Sequence, residues 1–426
     1  MMIGGAGLSL IGVLVLDREA RLSVGDTGTR PKDTSSWLLK VGAAGALVIG
    51  LSAFQGEYDF GVEQFRLVLQ PMMITGAAAL ALVAARMLLG RGGAVLAALF
   101  FLLLRGIISV LVGPGLGEPQ VWFPLYLSEA IIVEAVALTR LTRKPLALGA
   151  VSGLGIATLG MALESLWINQ VFAVPWAASI WAEALAMCIP VGVATGMCGA
   201  LLATALRDGH LPRPALSRGI VTATALIVAA ATANGLSATV PDNATATIAL
   251  REVSGTGAAR TAAAEVRVTP ASLAQEDAAW VEILAWQGGG AGERGLVIDR
   301  LKRTGPGTYE SIKPIPIAGG WKSTLRVQDG RTMTAVPIYL PAEDAIDAEE
   351  VPASATFTRQ FVPEITLLQR ERSFDHPAWL WGAASVVVLA CSVALIWALS
   401  WGVARLARSS PGRDRNDAGD RERVLL

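Results

Sequence analysis

The stretch Ala178-Ser-Ile-Trp-Ala-Glu-Ala-Leu-Ala-Met-Cys-Ile-Pro-Val-Gly-Val-Ala-Thr-Gly-Met-Cys-Gly-Ala-Leu-Leu-Ala-Thr-Ala-Leu206 carries a single charged residue, Glu183. As a helix rising about 1.5 Å per residue it is long enough to cross the roughly 30 Å of hydrocarbon in a bilayer. Comparable runs flank it on both sides. Together they predict about nine spans, near residues 1 to 16, 37 to 55, 67 to 89, 94 to 112, 123 to 140, 146 to 167, 178 to 206, 220 to 236 and 379 to 404. The first is short and begins without a basic n-region or a cleavage site, which suggests a truncated or mis-assigned start rather than a signal peptide.

Composition agrees with lipid as the solvent. Of 426 residues, 53% are hydrophobic and 16% charged, against about 25% charged in soluble proteins. Lys plus Arg equals Asp plus Glu, so nothing in the balance points to nucleic acid. The two histidines, His210 and His376, fall in loops, which argues against a haem or His-ligated copper centre in the bilayer. All three cysteines lie in apolar runs, so no disulfide framework is expected in the polar segment 237 to 376.

Basic residues mark the sides of the membrane. Loops with Arg18, Arg21, Arg30 and Lys32, with Arg91, with Arg140, Arg143 and Lys144, and with Arg207, Arg213 and Arg218 alternate with loops almost free of Lys and Arg. Taking the basic loops as cytoplasmic places residues 237 to 376 outside the cytoplasm and the basic tail from Arg405 inside. The domain order is then a polytopic region at 1 to 236, an extracytoplasmic domain at 237 to 376, a closing helix at 377 to 404 and a cytoplasmic tail at 405 to 426.

From Thr245 the chain reads as short β-prone runs separated by turns. Strands are expected over 247–253, 263–268, 280–286, 296–301, 322–327 and 333–339, with turns at Gly305-Pro-Gly307 and Asp329-Gly330. The run Gly305-Pro-Gly-Thr-Tyr-Glu-Ser-Ile-Lys-Pro-Ile-Pro-Ile-Ala-Gly-Gly-Trp-Lys-Ser-Thr-Leu-Arg-Val327 resembles the G-x-G-x-Y and P-x-x-G-x-W signature of YtkA/FixH-like domains. The resemblance covers about a quarter of the chain at most. It implies an immunoglobulin-like sandwich on the outer face, with Tyr309 and Trp321 in its core, and an association with copper handling or oxidase assembly. The domain itself has one methionine, Met333, and no cluster of Met and His. The expected fold class is therefore a membrane all-α helical bundle of about nine helices, with an extracytoplasmic all-β immunoglobulin-like sandwich inserted before the last helix.

Ionisable residues inside the spans carry the functional argument, since each costs at least ~2.5 kcal/mol to insert and persists when paired, hydrated or used. Glu129, Glu134, Glu164 and Glu183 are candidates for a cation-binding or proton-linked site, and Arg105 for their charge partner. Snorkelling and helix-to-helix hydrogen bonding are the plainer roles for such residues. Glu129, Glu164 and Glu183 are expected near the outer boundary, and Glu134 deeper. Met161 and Met187 read first as core filler and secondarily as thioether ligands to a metal, each on the same helix face as its glutamate. Gly149-x-x-x-Gly153 and Gly192-x-x-x-Gly196 suit close helix packing. No phosphate loop and no nucleophile and base pair is present, so an enzyme is not expected. The sequence identifies no cofactor; beyond lipid, it leaves a small cation or a membrane or extracytoplasmic protein as the partner. Two functions remain open: a protein that binds or passes a small cation beneath the β domain, and a scaffold that docks a partner through that domain.

Overall fold

The computed structural model describes residues 65–116, 124–171, 175–208, 218–287 and 295–368, with a few isolated positions between 370 and 387. The expected spans at 1 to 16 and 37 to 55, nearly all of the closing span at 379 to 404, and the basic tail lie outside the described residues. The helical half comprises α1 (Leu69–Leu89), α2 (Gly93–Leu116), α3 (Leu127–Ala137), α4 (Pro145–Gly155), α5 (Met161–Val171), α6 (Trp181–Asp208) and α7 (Arg218–Leu236). A π-helical segment, Ile156–Gly160, splices α4 onto α5. Among the described residues, three helices are long and apolar enough to cross a membrane: Leu69–Leu89, Pro145–Gln170 and Ala178–Thr204. Gly93–Ile107 and Ala225–Leu236 are shorter apolar helices.

Small residues set the way these helices meet. Gly149 of α4 lies on Gly196 of α6, and Gly153 on Gly192, so closely that a Cβ at any of the four would collide with the opposing backbone. The two small-residue motifs thus face one another, and the pairing makes α4 and α6 antiparallel. Helix α1 runs parallel to α6, with Gly199 against the backbone of Leu80 and Gly76 against Val191.

Helix α3 departs from the sequence expectation. It has eleven residues instead of a full span from 123, about 16 Å of helix. Its N-cap, Tyr126, sits in the left-handed region at φ 65°, which stops the helix from extending backwards.

The second half is a sandwich of two antiparallel sheets. The strands are β1 (Thr245–Ser254), β2 (Thr261–Thr269), β3 (Trp280–Gln287), β4 (Gly295–Arg300), β5 (Lys302–Gly305), β6 (Thr308–Glu310), β7 (Ile315–Pro316), β8 (Lys322–Asp329), β9 (Thr332–Tyr339) and β10 (Thr356–Gln360). One sheet has the order β10-β1-β2-β6-β5 with β7 beside β2, and the other β4-β3-β8-β9. Alternate residues point inward along β1 and β2, as a half-buried strand requires. Ile248, Val266, Ile283, Leu325 and Val336 meet in the core, joined by Tyr309, whose hydroxyl donates to the Ala274 carbonyl at 2.8 Å. Trp321 is half-buried and lies over Gly295 at the start of β4, outside that core.

The outer face of the four-stranded sheet is also buried. Arg326 on β8 donates to Glu282 on β3 at 3.0 Å and pairs through Nε with Glu364 of the short helix α8 (Glu364–Leu368). Its guanidinium carbon lies 5.4 Å from the Trp280 ring centre. Trp280 and Met333 continue into the hydrophobic cluster of the helices, so sandwich and bundle share one apolar interface.

Arg66 is the polar centre of that interface and is almost wholly buried, with 2% exposure. It grips both carboxylate oxygens of Glu183 on α6 at 2.9 and 2.6 Å, and donates to the carbonyls of Asn234 on α7 and Gly330 in the β8 to β9 turn, each at 3.0 Å. Arg331 donates to the Asn234 side chain at 2.6 Å, and the Leu67 N–H donates to Gln328 at 3.0 Å. The sandwich is therefore fastened to the starts of α1 and α6 and to the end of α7.

Candidate functional site

The four glutamates divide into one pair and two separately engaged residues. Glu129, in the first turn of α3, and Glu164, in the first turn of α5, come together around Ser128. The Ser128 Oγ lies 2.9 Å from Glu129 Oε2 and 3.4 Å from Glu164 Oε2. Both carboxyl groups are buried, with 0% and 2% exposure. The Oε1 atom of each has no hydrogen-bond partner among the described residues. Such orphaned acceptors are rare in proteins, and rarer still for groups able to carry full charge.

Local structure explains how two carboxyls reach the same place. The turn at Tyr126 aims the first turn of α3, and so Ser128 and Glu129, at α5. The π segment widens the opposing helix by one residue, a deviation found frequently at functional sites. Gly160, its last residue, presents bare backbone to Glu129: a Cβ there would stand 3.3 Å from Glu129 Cγ and 3.4 Å from its Oε1. Tyr126 is buried, stacks edge-on against Phe101 of α2 at 4.9 Å between ring centres, and has Glu129, Glu164 and Arg105 as its electrostatic neighbours.

The remaining two carboxylates are occupied. Glu183 is held by Arg66 and by the Asn234 amide at 2.5 Å. Glu134 pairs with Arg86 at 2.8 Å and accepts from the Ala94 N–H at 3.0 Å. It therefore sits at the turn joining α1 to α2 and caps the start of α2, instead of lying deep in a span. The short length of α3 brings its last turn to that helix end. Arg105 on α2 is an electrostatic neighbour of Tyr126.

The thioethers are engaged in packing. Met161 and Met187 are buried in the bundle core, and the Met187 sulfur accepts from the Asn234 amide at 3.5 Å. Among the described residues no three His, Cys, Asp or Glu side chains gather as a metal site. Around the carboxyl pair the donors are carboxyl and hydroxyl oxygens, hard ligands of a kind that does not select copper(I).

Sequence reasoning identified both members of the pair but missed Ser128, Tyr126, Gly160 and Arg66. Ser128 adjoins Glu129, and that adjacency was a readable signal. Gly160 had none, because what it contributes is backbone exposed by a π register. Set beside family models, curated proteins and solved structures, the chain matches none of them.

Proposed function

We propose that this chain is an integral membrane protein that binds or passes a small cation at Glu129 and Glu164, beneath a β-sandwich domain fixed over the same end of the bundle. The observation carrying this reading is the pair of orphaned, buried carboxyl oxygens. Two negative charges buried this closely are costly, and a bound cation removes that cost. Glu134 and Glu183, already neutralised by arginines, stabilise helix ends in this reading and take no part in binding.

The proposal includes the wider topology: about nine spans, the sandwich outside the cytoplasm, and the tail inside. The alternation of basic loops requires α1 and α6 to run in the same direction and α4 in the opposite one, which agrees with the packing of their glycines. Assignment of the sandwich to the YtkA/FixH-like, immunoglobulin-type domains belongs to the same proposal and rests on the Gly305 to Val327 signature and the core position of Tyr309.

The test is uptake of protons and of metal cations by the full chain in lipid vesicles, with elemental analysis beside it, comparing wild type with a Glu129→Gln/Glu164→Gln double variant. Binding or flux that disappears in the double variant is the expected result. Equal uptake by both, or none by either, would overturn the reading. A scaffold is the second reading, favoured by the rigid fastening through Arg66, which holds one sandwich surface at a constant height. A co-purifying protein lost on deletion of the sandwich, with no change in the double variant, would select it.

A further inference from the structure

The cation reading leaves the ion unnamed, and the geometry around Ser128 narrows it. A serine hydroxyl has one proton to donate and lone pairs with which to accept. Shared between both carboxyls, that proton makes at best a three-centre bond, short to Glu129 at 2.9 Å and long to Glu164 at 3.4 Å. A proton on Glu164 donated to Oγ turns the long contact into a full hydrogen bond. If both glutamates were ionised, two like charges would stand buried on either side of a single hydroxyl.

We propose that the cation at this site is a proton, held by Glu129 and Glu164 in common and relayed through Ser128; the proposal rests on the cation reading above. In one arrangement Glu164 O–H donates to Ser128 Oγ while the Ser128 O–H donates to Glu129 Oε2. When the serine proton moves to Glu129 and the Glu164 proton moves to serine, Glu129 becomes the acid and Glu164 the carboxylate. No charge is created, and each oxygen that loses a proton gains one or becomes the acceptor.

The count of oxygens favours a proton over a divalent metal ion. Mg²⁺ or Ca²⁺ needs six or more oxygens, in part from water. Among the described residues the side-chain oxygens in hydrogen-bond contact here are those of two carboxyls and the Ser128 hydroxyl, and Gly160 and Ile132 lie against Glu129. Among the described residues, the charged and titratable groups around the pair are Arg105 on α2 and Tyr126 before α3. The π segment contributes none, and Glu134, further along α3, is bound to Arg86.

Infrared spectroscopy of the full chain in lipid bilayers, titrated in pH and exchanged into D₂O, tests this directly. Wild type should show a buried protonated carboxyl band that shifts in D₂O and disappears in both Glu129→Gln and Glu164→Gln. Ser128→Ala, a gentler change, should keep the band but move it to higher frequency, as loss of a hydrogen bond does. A band untouched by all three substitutions would overturn the proposal. So would a near-stoichiometric metal ion that vanishes in Glu129→Gln with no carboxyl band; the cation reading would then survive without the shared proton. Finding neither band nor ion would remove both.

Discussion

Each half of the molecule buries two glutamates close together, and it neutralises them differently. In the sandwich, Glu282 and Glu364 flank the Arg326 guanidinium, which supplies a full opposite charge and directed donors. In the bundle, Glu129 and Glu164 flank the Ser128 hydroxyl, and Glu164 also takes a backbone hydrogen bond from Tyr126. A carboxylate held by a buried arginine is committed to structure, because losing either partner strands a charge. One held by a hydroxyl still has an unmet demand that a proton or ion can satisfy and later release. The contrast separates buried acids that fasten the fold from those suited to function.

The largest expected effect tests the sandwich side. Replacing the central cation by Arg326→Met should destabilise that domain by about 3–5 kcal/mol, since it strands Glu282 and Glu364. Thermal unfolding followed by tryptophan fluorescence would report it, Trp280 being stacked on the guanidinium. A loss below about 1 kcal/mol would mean that the two buried pairs do not differ as argued.

Next comes the joint between the halves. Arg66→Met takes the bidentate charged donor from Glu183, which keeps only the Asn234 amide, and the side-chain donor from the Gly330 carbonyl, at a cost of about 1–3 kcal/mol. Hydrogen exchange should rise in the segment from Asn234 to Pro241 while the sandwich core stays protected. Unchanged exchange there would place the fastening in the apolar contacts of Trp280 and Met333 instead.

The bundle side is then probed without touching a carboxyl. A Gly160→Val change pushes a branched side chain into Glu129 and should cost about 1–3 kcal/mol as overpacking, together with a clear loss of uptake, whereas Gly160→Ala should be tolerated. Equal behaviour of the two variants would show that the π segment does not shape the site. Glu129→Gln, by contrast, should alter stability by less than about 1 kcal/mol yet abolish uptake. A loss as large as that of Arg326→Met would instead make Glu129 a structural acid.

The smallest effect is linked to pH. Asp299 on β4 is buried and accepts from the Ile312 N–H at 3.2 Å. Burial raises its carboxyl above the usual aspartate range, with the N–H groups of Ile312 and Lys313 partly opposing the shift. A raised value in the folded state means that its contribution to stability is full below the ordinary aspartate range and is lost as pH rises through the folded value. Asp299→Asn, always neutral and still an acceptor, should therefore be slightly more stable than wild type at neutral pH, with the gap closing near pH 4. Chemical denaturation at the two pH values would reveal it, and a gap that widens on acidification would reverse the sign.

Much of the architecture was legible along the chain. Runs of apolar residues located α1, α2, α6 and α7 to within a few residues, and β-prone runs bounded by turn residues located β1, β2, β3, β4, β8 and β9, because both signals are written in consecutive side chains. The strands that went unread, β5, β6, β7 and β10, are five residues or fewer and complete a sheet only through partners far away in sequence. Gly305-Pro-Gly307, read as a turn, is the tip joining β5 to β6.

The site was legible only as a list of candidates. Composition and hydropathy determined by themselves that this chain has runs apolar and long enough to cross a membrane, where most of its described helices fall, and that four acids lie among apolar residues. Tertiary structure alone decided that Arg86 and Arg66 take Glu134 and Glu183, and that a left-handed turn at Tyr126 and a π register ending at Gly160 bring Glu129 and Glu164 to one serine. The physical reason is one of range. Hydrophobic periodicity is a property of neighbours in sequence, whereas compensation of a buried charge depends on which distant donor arrives within about 3 Å of it.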